Sequence, residues 1–290
     1  MTTDPNKPTP QTPAPLAPPP GALSPATEEE PMRHLLSIIT PVHPGSAAYL
    51  PLAYESLERQ QCPPGWDWEW LVQEDGEGVD AAAHLPSDPR IRIAQSRHGG
   101  PHVARTVALG RSAGRFIKTL DADDLLAEGV LARDIRTLED NPLVGWVTSA
   151  ALDLLPNGEL VTFDGAPPAG LLKPGSVLHH WERYRAPLVH PATLCVRRSL
   201  VVALGGWMAL PASGDTGLLL SLEALAPGWF QKEAGLHYRK HAAQITADAR
   251  HTQGPEWEAR TRLIGERARL LQQHLQLGAP PATPSVLNAA

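Results

Sequence analysis

Cysteine is scarce in this chain, since Cys62 and Cys195 are the only two in 290 residues. Two cysteines are too few for a disulfide framework and lack the spacing of metal-ligand pairs, which favours a reducing cytoplasm. No apolar run approaches the roughly 20 residues that span a bilayer, and the N-terminus lacks the basic-then-apolar pattern of a secretory signal. We therefore expect a soluble, cytoplasmic protein with no transmembrane segment.

An excess of positive charge is also absent. The formal net charge is −6, and no basic stripe runs along the sequence. Because domains that bind nucleic acid usually carry such a stripe, we expect no nucleic-acid partner. With 42% apolar residues, the chain can bury a substantial core, and one domain of about 200 to 250 residues plus tails is the natural expectation.

Proline is abundant, with 31 residues, and it is densest in the first segment of the chain. Residues 1–31 have few large apolar groups, so we predict a disordered tail; a ligand for a proline-binding domain is the alternative. The main domain is predicted over 32–250, followed by an amphipathic helix over 251–277 and a flexible tail over 278–290. Core packing is the expected role of that helix, with membrane-surface binding as the alternative.

Short apolar runs alternate with helical patterns in the first half of the chain. The predicted strands cover residues 35–40, 68–73, 90–94 and 116–120, and the predicted helices cover 49–60, 99–113 and 125–138. Such alternation predicts an α/β fold with a mostly parallel sheet and helices on both faces. The second half is less regular, and the elements predicted there are a hairpin over 146–163, a strand over 192–196 and helices over 199–204 and 216–225.

Three carboxylates follow the last of these first-half strands, in the segment Asp121-Ala122-Asp123-Asp124. Carboxylates that crowd the end of a buried strand repel one another, and a divalent cation relieves that repulsion while recruiting a diphosphate. The alternative is that Asp123 or Asp124 caps the following helix. Thr40-Pro41-Val42 and Glu74-Asp75-Gly76 stand at the ends of two other strands, so three polar endings are expected to converge on one crevice.

In that order, the motifs resemble those of the family 2 glycosyltransferases, over about residues 35–246. The opening strand, Glu74-Asp75-Gly76 and the aspartate segment are similar to the family's motifs. Gly99-Gly100-Pro101-His102-Val103-Ala104-Arg105-Thr106 resembles its Gly-Gly…Ala-Arg-Asn segment, with Thr106 in place of Asn. The resemblance implies a GT-A fold, Rossmann-like, with a nucleotide-binding half over 32–125 and an acceptor-side half over 126–250.

The resemblance also implies roles for individual residues. Pro41, Val42 and Asp75 would line the pocket for the base and ribose, and Arg105 would lie near the base or diphosphate. Asp121 and Asp123 would hold a Mn²⁺ or Mg²⁺ ion that bridges the phosphates, so Asp121 also contacts the donor, while Asp124 would serve as the helix cap.

Downstream, Gly205-Gly206-Trp207 followed by Gly214-Asp215 resembles the family's Gly-Gly-Phe/Trp…Glu-Asp segment. Asp215 inherits the role of catalytic base, but Gly214 stands where the family usually has Glu, which leaves the acceptor open. The segment 237–246 resembles one that closes over the donor phosphates, with Arg239 and His241 as candidates. His190 and the segment His179-His180-Trp181 are candidates for bordering the acceptor cleft.

The function implied by the resemblance is a metal-dependent, inverting transfer of a sugar from a nucleoside diphosphate donor, UDP-sugar favoured, to an acceptor hydroxyl or amine. The acceptor class stays open among glycan, lipid, peptide and small metabolite. Two other functions remain as alternatives. A sugar nucleotidyltransferase would also use strand-end carboxylates and a divalent metal, and a non-catalytic nucleotide-sugar-binding protein would suit the loss of Glu at position 214.

Overall fold

The computed structural model describes residues 34–162, 165–242, 244 and 251–278, with only the backbone at 275–278. The predicted tail over 1–31 lies outside these residues, as does the tail predicted over 278–290 apart from its first residue, which ends a helix. The first half of the described chain contains the elements β1 (His34–Val42), α1 (Leu50–Glu58), β2 (Trp66–Asp75), β3 (Ile91–Ser96), α2 (Pro101–Leu109), β4 (Phe116–Thr119), β5 (Leu125–Leu126) and α3 (Val130–Asp140).

The second half adds five strands and four helices to the described chain. Its elements are β6 (Trp146–Leu154), β7 (Leu160–Thr162), β8 (Gly170–Leu171), α4 (Ser176–Tyr184), β9 (Cys195–Arg197), α5 (Arg198–Ala203), α6 (Gly214–Leu225), β10 (Gly228–Arg239) and α7 (Pro255–Gly278). Short 3-10 helices lie at Ala47–Tyr49, Ala81–His84 and Pro191–Thr193. No helix among the described residues is both long and apolar enough to cross a membrane.

The strands form one sheet in the order β3-β2-β1-β4-β9-β6-β10-β5. The first four strands are parallel, as predicted, and their order is that of a Rossmann half. In the second half β9 is antiparallel to both β4 and β6, whereas β10 is parallel to β6. Val42 pairs with Glu74 and Asp75 pairs with Ser96, so these strand ends meet at one edge of the sheet.

Both faces of the sheet are covered by a hydrophobic core. On β1, Leu36 and Ile38 pack with α1 and α3 on one face, whereas Ile39 packs on the other face with residues of α2, α4, α5, α6 and α7. This alternation follows from the two-residue period of a strand. The predicted α/β class is therefore confirmed, with helices on both faces of the sheet.

The prediction of a helix over 125–138 was wrong at its start. Leu125 and Leu126 form β5 and pair antiparallel with His237 and Leu236 of β10. The helix begins only at Val130, because Gly129, with φ of 67°, reverses the chain direction between them. Asp124 is therefore not the cap of this helix. Its Oδ1 accepts the backbone N–H of Arg239 at 2.9 Å, so it joins the aspartate segment to the end of β10.

Helix α7 lies where the C-terminal amphipathic helix was predicted, but not all of its large apolar residues face the core. Ile264 and Ala268 are fully buried, whereas Leu263 and Leu270 are each about half exposed. The predicted hairpin is also confirmed, because β6 and β7 pair antiparallel around the turn that contains Asn157. Helix α4 was not predicted, and β10 was missed because its outer positions are polar.

Candidate active site

A pocket of about 930 Å³, including its open mouth, lies at the carboxyl edge of the parallel strands. The loops after β1 and β4, the first turn of α2, the loop before α6 and the end of β10 all contribute to it. Its lining residues are Pro41, His43, Gly45, Ser46, Pro101, His102, Arg105, Asp121, Ala122, Asp123, Pro211, Ala212, Ser213, Asp215, Tyr238, His241, Gln244 and His251. The pocket lies at the edge of the sheet where ligands of open α/β sheets bind, but of the three strand ends expected there Glu74-Asp75-Gly76 does not line it.

Arg105 contacts two aspartates of the pocket, one that follows β4 and one in the first turn of α6. Its Nη2 donates to Asp121 Oδ1, and its Nη1 lies 3.2 Å from Asp215 Oδ1. The guanidinium is buried, whereas the two carboxylates are 30% and 24% exposed and face the pocket. The two aspartates are 94 positions apart in the sequence but share one cation in the fold. The aspartate segment and Asp215 therefore lie side by side in the structure.

These contacts shift the acid–base properties of the site. Burial raises the pKa of Asp121, and the carboxylates of Asp215 and Asp123 raise it further against the effect of Arg105. For Asp215, burial acts to raise the pKa, but Arg105 and then His102 hold it below its ordinary value. Burial followed by the charges of Asp121 and Asp123 raises the pKa of Asp124 well above its usual range. Asp215 is therefore ionised at neutral pH.

Asp123 contacts the segment that follows β10. His241 Nε2 lies 2.9 Å from Asp123 Oδ2, and both side chains line the pocket. Arg239 behaves differently, because its Nε donates to the backbone oxygen of Asp123 at 2.7 Å and its guanidinium lies 5.2 Å from the ring centre of Tyr49. Of the two residues proposed to close over the donor, His241 lines the pocket, whereas Arg239 holds the aspartate segment from outside it.

Two side chains of α2, one turn apart, accept hydrogen bonds from the segment that leads into α6. Thr106 Oγ1 accepts the backbone N–H of Trp207 at 3.0 Å, and His102 Nε2 accepts that of Gly214 at 3.1 Å. With Arg105 they form one face of the helix, because residues three and four apart lie side by side. Thr106, which departs from the family's Asn, therefore ties this helix to the Gly205-Gly206-Trp207 segment.

The C-terminal helix reaches the same loop from the other side. Arg260 of α7 is 3% exposed, and its Nη1 donates to Ser213 Oγ at 2.7 Å. Ser213 has a φ of 64°, in the left-handed region that few residues other than glycine adopt. Its hydrogen bond to Arg260 helps to hold that conformation, which directly precedes Gly214 and Asp215.

Two of the residues proposed for the base and ribose pocket do not line this cavity, although Pro41 does. Val42 is 1% exposed and packs in the core. The Asp75 carboxylate accepts the backbone N–H groups of Gly99 and Gly100 at 2.7 to 3.2 Å, and it therefore shapes the loop that leads into α2. A direct contact between either residue and a nucleotide stays a prediction.

Sequence reasoning missed several lining residues. His43 and His251 border the cavity from loops that no motif marked, and Tyr238 borders it from the segment 237–246, in which only Arg239 and His241 were named as candidates. The ring centres of Tyr238 and His190 are 4.9 Å apart, and His190 in turn lines a second pocket together with His180. Burial lowers the pKa of His190 to about 4, against the carboxylates of Asp153 and Asp215, so the ring is neutral at pH 7.

Trp181 was wrongly considered for the acceptor cleft. It is 3% exposed and packs in the core, because α4 turns it towards the sheet and presents His180 to the second pocket.

The carboxylate oxygens of the site are ligands that suit a hard divalent cation. Asp121 and Asp123 flank Ala122, both carboxylates face the pocket, and such ions are usually bound by one or two carboxylates plus substrate phosphates. Within the described part of the chain, no three His, Cys, Asp or Glu side chains are already arranged as a metal site. Arg105 instead contacts the Asp121 carboxylate, and His241 contacts that of Asp123. A cation would therefore compete with these two side chains for the carboxylate oxygens.

Comparison with known proteins identifies the family. A family model described as Glycosyl transferase family 2 matches residues 37–193, which is more than half of the chain. The chain therefore belongs to glycosyl transferase family 2, as its motifs indicated. The matched region contains Arg105 and the aspartate segment, whereas Asp215 and α7 lie beyond it.

Curated relatives share only a part of their length with this chain. An "Uncharacterized glycosyltransferase" of Rickettsia felis is 27% identical over 113 residues, 38% of this chain and 18% of the relative. The "O-antigen biosynthesis protein RfbC" of Myxococcus xanthus is 33% identical over 107 residues, 34% of this chain and 8% of the relative. The chain thus covers less than a fifth of these relatives.

Solved structures of S. aureus TarS have the same fold. The structure of residues 1–349 in complex with UDP-GlcNAc gives a TM-score of 0.62 at 17% identity, over 83% of this chain and 71% of that one. The complex with UDP gives 0.57 at 17% identity, over 84% and 72%. This likeness confirms the predicted GT-A fold.

Proposed function

We propose that this glycosyltransferase moves a sugar from a UDP-sugar to an acceptor hydroxyl or amine with inversion, and that the reaction needs Mn²⁺ or Mg²⁺. The main support is the pocket in which Arg105 joins Asp121 to Asp215 at the carboxyl edge of the sheet. The choice of UDP is supported by the TarS complexes with UDP-GlcNAc and UDP, which share the fold.

In this proposal, Asp121 and Asp123 hold the divalent ion. When bound, the ion would offset the negative charge that develops on the departing diphosphate. His241, which now contacts Asp123, would move to the phosphates or to the ion. Pro41 and His43 at the end of β1 border the part of the pocket that would receive the nucleoside.

Asp215 is the proposed general base, and its carboxylate would accept the acceptor's proton as the acceptor attacks the anomeric carbon. In the free protein, Arg105 holds the pKa of Asp215 low, which keeps the group ionised but weakens it as a base. A bound diphosphate would give Arg105 another anionic partner, which would weaken the pairing of Arg105 with Asp215. Donor binding would thus raise the pKa of Asp215 towards the value that suits a base.

The acceptor is proposed to approach from the side of the second pocket. That pocket is separated from the first by the Tyr238 and His190 rings, and it is lined by Leu188, Val189 and Phe230 together with His180 and Ser149. This lining suits an acceptor with an apolar portion beside its nucleophilic group.

The first experiment measures thermal stability with a panel of nucleotide sugars, beginning with UDP-GlcNAc, with Mn²⁺, with Mg²⁺ and with EDTA. A donor at about 100 times its dissociation constant stabilises the fold by roughly 2.7 kcal/mol. We expect this stabilisation with metal only, and its loss in Asp123→Ala. Metal-independent binding of every donor, unchanged in Asp123→Ala, would contradict the metal assignment.

The second experiment measures UDP release with the donor found by that panel. Asp215→Asn should lower the turnover about 10²- to 10⁴-fold while donor binding persists, because only the base is lost. Asp140→Asn, an exposed change at the end of α3, is the matched control and should keep full activity. Pyrophosphate release would identify a nucleotidyltransferase instead, and donor binding without turnover across many acceptors would identify a binding protein.

A further inference from the structure

Position 214 is filled by a side chain from another helix. A Cβ built on Gly214 would lie 2.5 Å from Cγ, 2.6 Å from Cδ2 and 2.8 Å from Nδ1 of His102. Real Cβ atoms do not approach other atoms so closely. His102 is 4% exposed and accepts the Gly214 N–H, so its ring would have to give up that hydrogen bond to move aside. The imidazole therefore occupies the volume that a Glu side chain at position 214 would need.

The imidazole also makes a directed hydrogen bond to this position. Gly214 is the first residue of α6, where backbone N–H groups have no partner within the helix. Its N–H donates to His102 Nε2 at 3.1 Å. Accepting this N–H uses the lone pair of Nε2 and so places the proton of the neutral ring on Nδ1, which makes the 3.1 Å approach of Arg105 Nη1 to Nδ1 a contact between two donors and not a hydrogen bond. Burial lowers the pKa of His102 to about 4, so the ring is neutral at pH 7, as this bond requires.

The other ring nitrogen faces the charged groups of the site. His102 Nδ1 lies 3.8 Å from Asp215 Oδ2 and 3.1 Å from Arg105 Nη1. The His102 imidazole therefore contacts the backbone N–H of Gly214, the residue before Asp215, and the Arg105 guanidinium that pairs with Asp215. Its Nδ1 also lies near the Asp215 carboxylate. Moving or removing this ring would let the first turn of α6 shift relative to Arg105.

We infer that His102 is a positioning residue for Asp215: its ring replaces the side chain at position 214, accepts the first amide of α6 and fixes the direction of the Asp215 carboxylate. This inference rests on the proposed function only for its effect on turnover. Its structural part predicts that positions 102 and 214 are coupled, so that a residue larger than glycine is tolerated at 214 only when the residue at 102 is small.

Thermal unfolding of four proteins tests the coupling: wild type, Gly214→Glu, His102→Ala and the double variant. Gly214→Glu alone should lower Tm by about 4–8 °C, because overpacking at a buried position is destabilising. In the His102→Ala background the same change should lower Tm by less than half as much. Gly110→Glu, at an exposed glycine with φ of −62°, is the matched control and should have little effect in either background. Equal losses from Gly214→Glu in both backgrounds would overturn the inference.

Kinetics then separate positioning from simple packing. His102→Phe keeps a ring but has no acceptor for the Gly214 amide, whereas the carboxamide oxygen of His102→Gln can accept that bond. We expect His102→Phe to lower kcat for UDP release about 10- to 100-fold, with KM for the donor changed less than about threefold, and His102→Gln to recover most of kcat. The exposed His84→Gln is the control. A His102→Phe protein with full kcat would reduce the role of His102 to packing and refute the inference.

A measurement without turnover keeps the two proposals distinguishable. The ¹⁵N chemical shifts of the His102 ring, assigned by comparison with His102→Gln, should show the neutral tautomer with the proton on Nδ1 at pH 7. If no donor is turned over, the proposed function fails, while this tautomer and the coupling in Tm still decide the inference. A proton on Nε2 at pH 7 would overturn it.

Discussion

A buried ion pair behind the aspartate segment gives a prediction that can be worked out from the structure. Lys118 of β4 and Asp134 of α3 are both 0% exposed, and Lys118 Nζ lies 2.7 Å from Asp134 Oδ2. Lys118 also donates to the backbone oxygen of Thr193 at 2.7 Å. Asp134 Oδ1 has no hydrogen-bond partner among the described residues. The negative charge of the buried Asp134 carboxylate is therefore balanced mainly by the ammonium group of Lys118.

Removal of one member of this ion pair should lower the free energy of unfolding far more than removal of both. Lys118→Met leaves the carboxylate buried without a counter-charge, which costs about 3–5 kcal/mol of unfolding free energy. In Lys118→Met/Asp134→Leu neither charge remains, and we expect stability within about 1 kcal/mol of wild type or above it. Urea denaturation with linear extrapolation measures both values. Lys232→Met, at an exposed position of β10, is the control and should stay within about 0.5 kcal/mol.

The pH dependence of the single variant provides a second check on the same reasoning. Burial already raises the pKa of Asp134, and Lys118 opposes that rise. Without Lys118 the pKa rises further, so folding takes up a proton at pH values between the unfolded and the folded pKa of Asp134. The destabilisation of Lys118→Met should therefore shrink as the pH falls towards 5 and grow as it rises. A loss below about 1 kcal/mol, or a double variant as unstable as the single one, would refute the argument.

Two further predictions concern other charged pairs. Arg105→Met leaves Asp121 and Asp215 without their shared cation, so UDP release at pH 7 should fall about 10²-fold, and Arg105→Lys should recover only part, because an ammonium cannot form the two-sided contact; unchanged kinetics in Arg105→Met would contradict this role. Hydrogen bonds from Arg90 lower the pKa of Asp88 to about 2. This carboxylate therefore stabilises the fold above the unfolded value near 4 and loses that effect as the pH falls through about 2. Urea unfolding of Asp88→Asn should show a loss of about 2 kcal/mol at pH 7 and little near pH 2, and an equal loss at both pH values would count against the assignment.

The first half of the fold was predictable from the sequence because local signals dominate there. Buried parallel strands such as β1 and β2 read as short apolar runs, and the loops that end them carry the polar motifs. The prediction failed at Leu125 and Leu126, where an apolar, helix-like pattern joins β10 through a pairing more than 100 positions away. Pairings at that distance leave no local pattern, and β10 itself has too many polar outer positions to be recognised.

The candidate site likewise has a part that was predictable from the sequence and a part that was not. Asp121, Arg105 and Asp215 lie in motifs with an ordered spacing, so their convergence was predictable from the family resemblance. The partners of these residues were not predictable, because they depend on which helix faces which loop. The sequence showed that Gly214 departs from the family's Glu, but only the fold shows the imidazole of His102 against that glycine.

The bond between Arg260 and Ser213 matters for how a minimal catalytic fragment is chosen. Boundaries drawn from the family match, residues 37–193, would omit Asp215, and a fragment extended only to the end of β10 would still discard α7. Such a fragment would keep every acidic group of the pocket but would lose the arginine that holds the left-handed serine two residues before Asp215. Helix α7 therefore belongs to the smallest unit in which sugar transfer should be sought.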